Sequence, residues 1–67
     1  MKTRYDVEVW NGIGSRHEDL KEAFDLAKAT AKEGKFTVLR KVVWDSENRI
    51  IEYKGCIIKA DGSFEYL

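Results

Sequence analysis

Three observations place this chain in the α+β class, as a single small domain of order β-α-β-β-β. One amphipathic stretch is long enough for a helix, alternating segments flank it on both sides, and two polar turns divide the C-terminal half. The expected architecture is a four-stranded, mostly antiparallel sheet with one helix, about residues 16–33, packed on one face.

The helix is the clearest element. Ser15 is followed three residues later by Glu18, the spacing of a capping box in which each side chain satisfies a free amide at the helix start. Gly34 stands where the chain leaves the helix, in a left-handed conformation that a glycine adopts at little cost. Leu20, Ala23, Phe24, Ala27 and Ala31 fall on one stripe of a 3.6-residue period. The alanines let a helix axis lie close to a sheet whose strands supply the larger side chains. The opposite face, with Glu18, Lys21, Glu22, Asp25, Lys28 and Lys32, reads as solvated.

Residues 3–10 alternate as a half-buried strand, with Tyr5, Val7 and Val9 on its core side. Trp10 falls on the charged side with Arg4, Asp6 and Glu8. Asn11-Gly12-Ile13-Gly14 reads as a loop from strand to helix, with Ile13 as an apolar clip at the helix entry. Strands at 36–44 and 49–59 meet at Asp45-Ser46-Glu47-Asn48. Pairing about that turn sets Trp44 opposite Arg49 as a cation–π pair, and Lys41 opposite Glu52. Asp61-Gly62 is a two-residue hairpin signal that returns a short strand, 63–67, setting Ile57 opposite Tyr66. A helical crossover makes the first strand parallel to the second, giving sheet order 1-2-3-4, or 2-3-4-1 if the first strand closes on the last.

On that register the helix covers Phe36, Val38, Val42, Ile51, Tyr53, Ile57 and Tyr66 together with Tyr5, Val7 and Val9. The helix-free face then carries Trp10, Leu39, Val43, Ile50 and Ile58, with Trp44 at a strand end. A solvated sheet face should be more polar than this, and contiguous apolar surface marks a contact site. The expected function is a non-enzymatic protein-binding module acting through this face or an edge strand. The partner is another protein or a second copy of the chain. Size and charge-rich character match compact inhibitors or modulators of the kind phages and mobile elements make, an analogy that rests on no motif.

Charge argues against other classes. Twelve basic and twelve acidic side chains give 67 residues a formal net charge of zero, and the balance is local. Nucleic-acid binding, the alternative reading, would need folding to gather Arg40, Lys41, Lys54 and Lys59 beside an exposed tryptophan. Gly12, Gly14, Ser15 and Arg16, between a strand and a helix start, form a weak candidate anion site: the third glycine of a dinucleotide loop and a Gly-Lys-Ser/Thr are missing. His17, the one histidine, sits among acids that serve a helix dipole. Cys56, the one cysteine, reads as a semi-buried strand thiol and leaves no intramolecular disulfide. No metal, cofactor or catalytic set is indicated. The N-terminus lacks the apolar core of a signal peptide, and no apolar run approaches the roughly 20 residues that span a bilayer. A cytoplasmic setting is expected.

Overall fold

A computed structural model describes residues 1–10 and 14–67. Among these, five strands and one helix follow in the order β1 (Lys2–Val9), β2 (Ser15–His17), α1 (Leu20–Lys32), β3 (Thr37–Trp44), β4 (Ile50–Ile58) and β5 (Phe64–Tyr66). The α+β class and the single helix on one sheet face are as the sequence predicts. The four strands read from the sequence lie in the first order expected, but a fifth strand is added outside β1, and β1 runs antiparallel rather than parallel to its neighbour. All neighbouring strands are antiparallel, in the order β2-β1-β3-β4-β5.

The difference begins at Ser15. Where the sequence predicts a helix cap, Ser15, Arg16 and His17 pair with Val7, Asp6 and Tyr5 as an edge strand. The chain therefore reverses once before the helix forms. The Asn11-Gly12 turn and the Ile13 clip lie outside the described residues. Because β2 runs against β1 and β1 against β3, β2 and β3 run the same way. The parallel relation expected across a helical crossover thus belongs to β2 and β3, with β1 between them.

Asp19 is the true N-cap. Its side chain accepts a hydrogen bond from the Glu22 amide at 3.2 Å, so the capping pattern is Asp19 to Glu22, four residues beyond the one expected. The C-terminal end is as expected: Gly34 has φ +87°, and its amide donates to the Ala31 carbonyl at 3.0 Å.

The helix lies over β1 and β3 and reaches β2 and β4. Ala23, Ala27 and Ala31 are buried against Val7, Leu39 and Ile58, with Tyr5, Phe24 and Cys56 packed around them. The paired register puts Val7 beside Leu39 and Leu39 beside Cys56, so the odd-numbered residues of β1 and β3 share the helix side. The faces of the β3–β4 hairpin are therefore exchanged relative to the expectation. Leu39, Val43 and Ile58 turn toward the helix, and Val38, Val42, Tyr53 and Ile57 turn away. Alternation alone could not choose between them, because β3 is buried on both sides: Thr37, Val38, Leu39, Val42 and Val43 all lack appreciable exposure.

Two turns also shift their registers. Val42 pairs with Tyr53 rather than Ile51, and a bulge between Val43 and Trp44 brings Ile50 opposite Trp44. Arg49 pairs with Asp45 at 3.1 Å instead of stacking on Trp44. In the last hairpin, the Lys59 amide donates to Ser63 at 2.8 Å and Gly62 takes φ +88°, so the loop holds three residues. Ile58 then opposes Phe64, and Cys56 rather than Ile57 opposes Tyr66.

The close seating of α1 makes a direct prediction. Ala27 is fully buried between helix and sheet, so Ala27→Leu should force the two layers apart and cost about 1–3 kcal/mol. Urea unfolding monitored by circular dichroism reads this; an unchanged midpoint would mean that the helix is not seated as described.

Candidate functional site

The sheet face turned away from α1 gathers arginine, tryptophan, tyrosine and isoleucine side chains from three neighbouring strands. Pairing along β1, β3 and β4 sorts them into rows. Lys2, Trp44 and Ile50 form one row, then Arg4, Val42 and Tyr53, then Asp6, Arg40 and Gly55, then Glu8, Val38 and Ile57. Beyond these, the Trp10 amide donates to the Phe36 carbonyl at 3.0 Å, continuing the ladder and the alternation by one more row.

Two arginines lie across the middle of this face. Arg4 makes a two-point ion pair with Asp6, at 2.7 and 2.8 Å, and its guanidinium stacks 4.8 Å from the Trp44 ring centre. Arg40 is held by Glu8 at 2.5 Å and lies 5.4 Å from the Tyr53 ring centre. The Glu8 hydrogen bond, opposed in part by desolvation, raises the Arg40 pKa further above its ordinary value. The stems and rings of these residues cover the centre of β3, which explains how Val42 comes to be 1% exposed on a face with no helix over it. Gly55 lies beneath Arg40; a Cβ there would meet Arg40 Nη1 and Leu67 Cδ1, each at 3.2 Å.

Around this polar lattice the apolar side chains stay open. Trp10 is 74% exposed, Tyr53 58%, Ile50 57%, Ile51 54% and Phe36 53%. The bulge contributes to this. Ile50 pairs with Trp44, and alternation from Glu52 brings Ile51 to the same side, so two adjacent isoleucines share one face.

The structure thus keeps Trp10, Trp44 and Ile50 of the expected contact residues on the open face. It removes Leu39, Val43 and Ile58, which are 7%, 5% and 2% exposed on the helix side. Phe36, Ile51, Tyr53 and the two arginines take their place. The correction follows from the antiparallel pairing of β1 with β3, which fixed the opposite choice of face.

The other candidates disperse. Arg40 is on the open face, whereas Lys41 and Lys54 oppose one another on the helix side. Lys41 and Lys54 both approach Glu52, at 3.6 and 3.4 Å, Lys59 approaches Glu65 at 3.3 Å, and Arg40 has Glu8. These four cations meet three carboxylates, Lys41 and Lys54 sharing Glu52, and they are divided between the two faces instead of forming one patch. Of the anion candidates, Gly12 lies outside the described residues. Gly14, Ser15 and Arg16 border a hollow shared with Asp6 and Glu8, and strand β2 and the Asp19 cap separate them from the helix start. Two carboxylates at that hollow oppose an anion.

Strand β2 brings together a set the sequence reading missed. Ser15 Oγ lies 2.7 Å from His17 Nε2, and His17 Nδ1 lies 3.5 Å from Glu22 Oε1 on α1. Placing His17 in a first helical turn hid this, and the polar run Ser15-Arg16-His17 carries no strand signal of its own; the pairing with Val7 and Tyr5 reveals it. Acyl transfer from such a set needs donors for the developing oxyanion, and the hollow beside Ser15 offers Asp6 and Glu8 instead. The contacts join the edge strand to the helix. Cys56 borders a hollow of about 320 Å³ beyond the helix start, with Tyr5, Leu20, Lys41 and Tyr66. Burial raises its thiol pKa, which disfavours the nucleophilic thiolate.

Among the described residues, no three His, Cys, Asp or Glu side chains gather as a metal site, and no helix is long and apolar enough to cross a membrane. No protein-family model matches the chain, and no curated protein and no solved structure shows significant similarity to it.

The end of the open face is set by Asp45. Its carboxylate accepts hydrogen bonds from the Arg49 and Glu47 amides, both at 2.9 Å, which fixes the turn beside Trp44 and Ile50. The Arg49 amide above all lowers the Asp45 pKa below the usual aspartate range. A lowered folded value means the turn gains its full support above the ordinary aspartate pKa and loses it as pH falls through the depressed value. An NMR titration of the Asp45 carboxyl should therefore show a midpoint below that of a free aspartate, with the Arg49 and Glu47 amide signals moving alongside it. A midpoint at or above the free value would contradict this anchoring.

Proposed function

We propose that this chain is a non-enzymatic protein-binding module, acting as an inhibitor or modulator, that holds its partner on the helix-free face of the sheet. The observation that carries the reading is the open apolar rim of Trp10, Phe36, Ile50, Ile51 and Tyr53 around a centre of paired charges. Tryptophan, tyrosine and arginine are the residues that most often dominate binding energy at protein interfaces. Here Arg4 and Arg40 are already held by Asp6 and Glu8 and stacked on Trp44 and Tyr53, so little side-chain freedom remains to be lost on contact.

The face fits this role better than the edges do. β2 and β5 are three residues each. The part of β4 that extends past β5 carries a bulge and the charged pair Glu52 and Lys54. Short strands, bulges and charges are the usual guards against edge pairing. Nucleic-acid binding is disfavoured by the acid beside each of Arg40, Lys41, Lys54 and Lys59.

The test is capture from nuclease-treated host lysate with immobilised wild type, Ile50→Asp, Tyr53→Asp and a helix-face control, Lys21→Ala. The two aspartate variants alter exposed side chains, and circular dichroism checks that each remains folded. The expected result is one protein retained by wild type and control and lost from both aspartate variants. Retention that ignores both substitutions, or that vanishes with nuclease, would overturn the reading.

A further inference from the structure

We infer that the occupant of the open face is a second copy of this chain, joined by a two-fold axis with the two sheets stacked face to face. The inference rests on the reading of that face as the contact surface and names its partner.

The first argument is what the monomer leaves unburied. Its largest fully buried side chains are Val7, Val42 and Thr37, and three of its nine buried apolar residues are alanines. A domain this small is only marginally stable on its own core, and with a single cysteine it has no internal disulfide, so burial against a second copy would add to its stability. A compact monomer of 7.8 kDa exposes about 4,400 Å² by the usual scaling with mass. This chain exposes 4842 Å² and measures 39 × 22 × 19 Å.

The second argument is area. Strands of eight and nine residues in β1, β3 and β4 make a face of roughly 26 × 14 Å at standard spacings. With side-chain relief, closing two such faces removes on the order of 1,200 Å² in total, at the lower bound of specific interfaces.

The third argument is self-complementarity. A two-fold axis lying between the sheets and crossing the strands at the row of Asp6, Arg40 and Gly55 reverses the copy. It sets the row of Glu8, Val38 and Ile57 against the copy's row of Arg4, Val42 and Tyr53. Opposite charges, two valines, and an isoleucine with a tyrosine then meet, and each meeting occurs twice. At the ends, Trp10 faces the copy's Lys2 and Phe36 faces the copy's Trp44. The central row meets itself, Asp6 on Asp6 and Arg40 on Arg40, with Arg40 and Leu67 lying over Gly55. The central charges are already paired within each copy, Asp6 with Arg4 and Arg40 with Glu8.

Edge pairing offers no such match. Only residues 50–54 of β4 lie clear of β5, whose Leu67 amide already donates to the Gly55 carbonyl. A symmetric antiparallel pairing confined to that stretch centres on Glu52 and places two carboxylates opposite one another, which destabilises a ladder.

The test is sedimentation equilibrium of the purified chain, with thermal unfolding measured across a hundredfold range of concentration. Wild type should sediment as a dimer at micromolar concentration, and its Tm should rise with concentration. Tyr53→Asp should weaken dimerisation about thirtyfold or more while leaving a folded monomer whose Tm ignores concentration. Trp10→Ala, at a side chain 74% exposed in the monomer, should weaken it in the same direction. A wild type that stays monomeric with a constant Tm, or a dimer indifferent to Tyr53 and Trp10, overturns the inference; the wild-type measurement alone suffices if a variant fails to fold. A monomeric wild type that still captures another protein through Tyr53 refutes the dimer and leaves the contact face standing. A monomer whose capture ignores Tyr53 refutes both.

Discussion

One central strand must be buried on both faces by a chain that has one helix to offer. β3 carries Leu39 and Val43 toward α1 and Val38 and Val42 away from it, and all four are buried. The helix accounts for the first pair, approaching closely because its inner stripe is alanine. The second pair depends on long side chains from β3 itself and its neighbours, chiefly Arg40 and Trp44 of β3, Arg4 of β1 and Tyr53 of β4, fixed by ion pairs and ring contacts. Side chains that shield a strand in this way cannot shield one another. The outer rings and methyl groups stay in water, and the surface that results is apolar at its rim and charge-paired at its centre.

That division also governs what the chain can bind. Each of the four cations considered for nucleic acid has a carboxylate within ion-pair distance, so the surface lacks the excess of positive charge that counterion release requires. On the proposed reading, a face whose charges are mostly paired would select its partner by fit at contact, through the aromatic rim and the arginine stacks.

The sequence made the composition of each layer legible but not its orientation. The alanine stripe, the Gly34 exit and the division of β3 and β4 into two sets of alternating residues are all present as read. A two-residue error in the β3–β4 register left those sets intact, since a side chain returns to its own face after two positions. Which set faces the helix depends on β1, through the long-range pairing of Val7 with Leu39, and both sets are apolar enough to serve as core. Ser15, Arg16 and His17 were read as a helix start because Ser15 and Glu18 have capping spacing. Asp19 and Glu22 have it too, and three polar residues carry no strand signal of their own. Their strand exists because β1 offers an edge. The same misplacement hid the contacts from Ser15 through His17 to Glu22.

The tryptophans allow the central claim to be tested without substitution. Trp10 and Trp44 are the only two in the chain, and both belong to the rows of the helix-free face. Acrylamide quenching of their fluorescence, followed as protein concentration rises through the micromolar range, reports directly whether that face becomes covered. The account predicts that quenching falls as the face closes on its copy, with Trp10 moving from almost full exposure to protection. Quenching that stays constant at every concentration would contradict it.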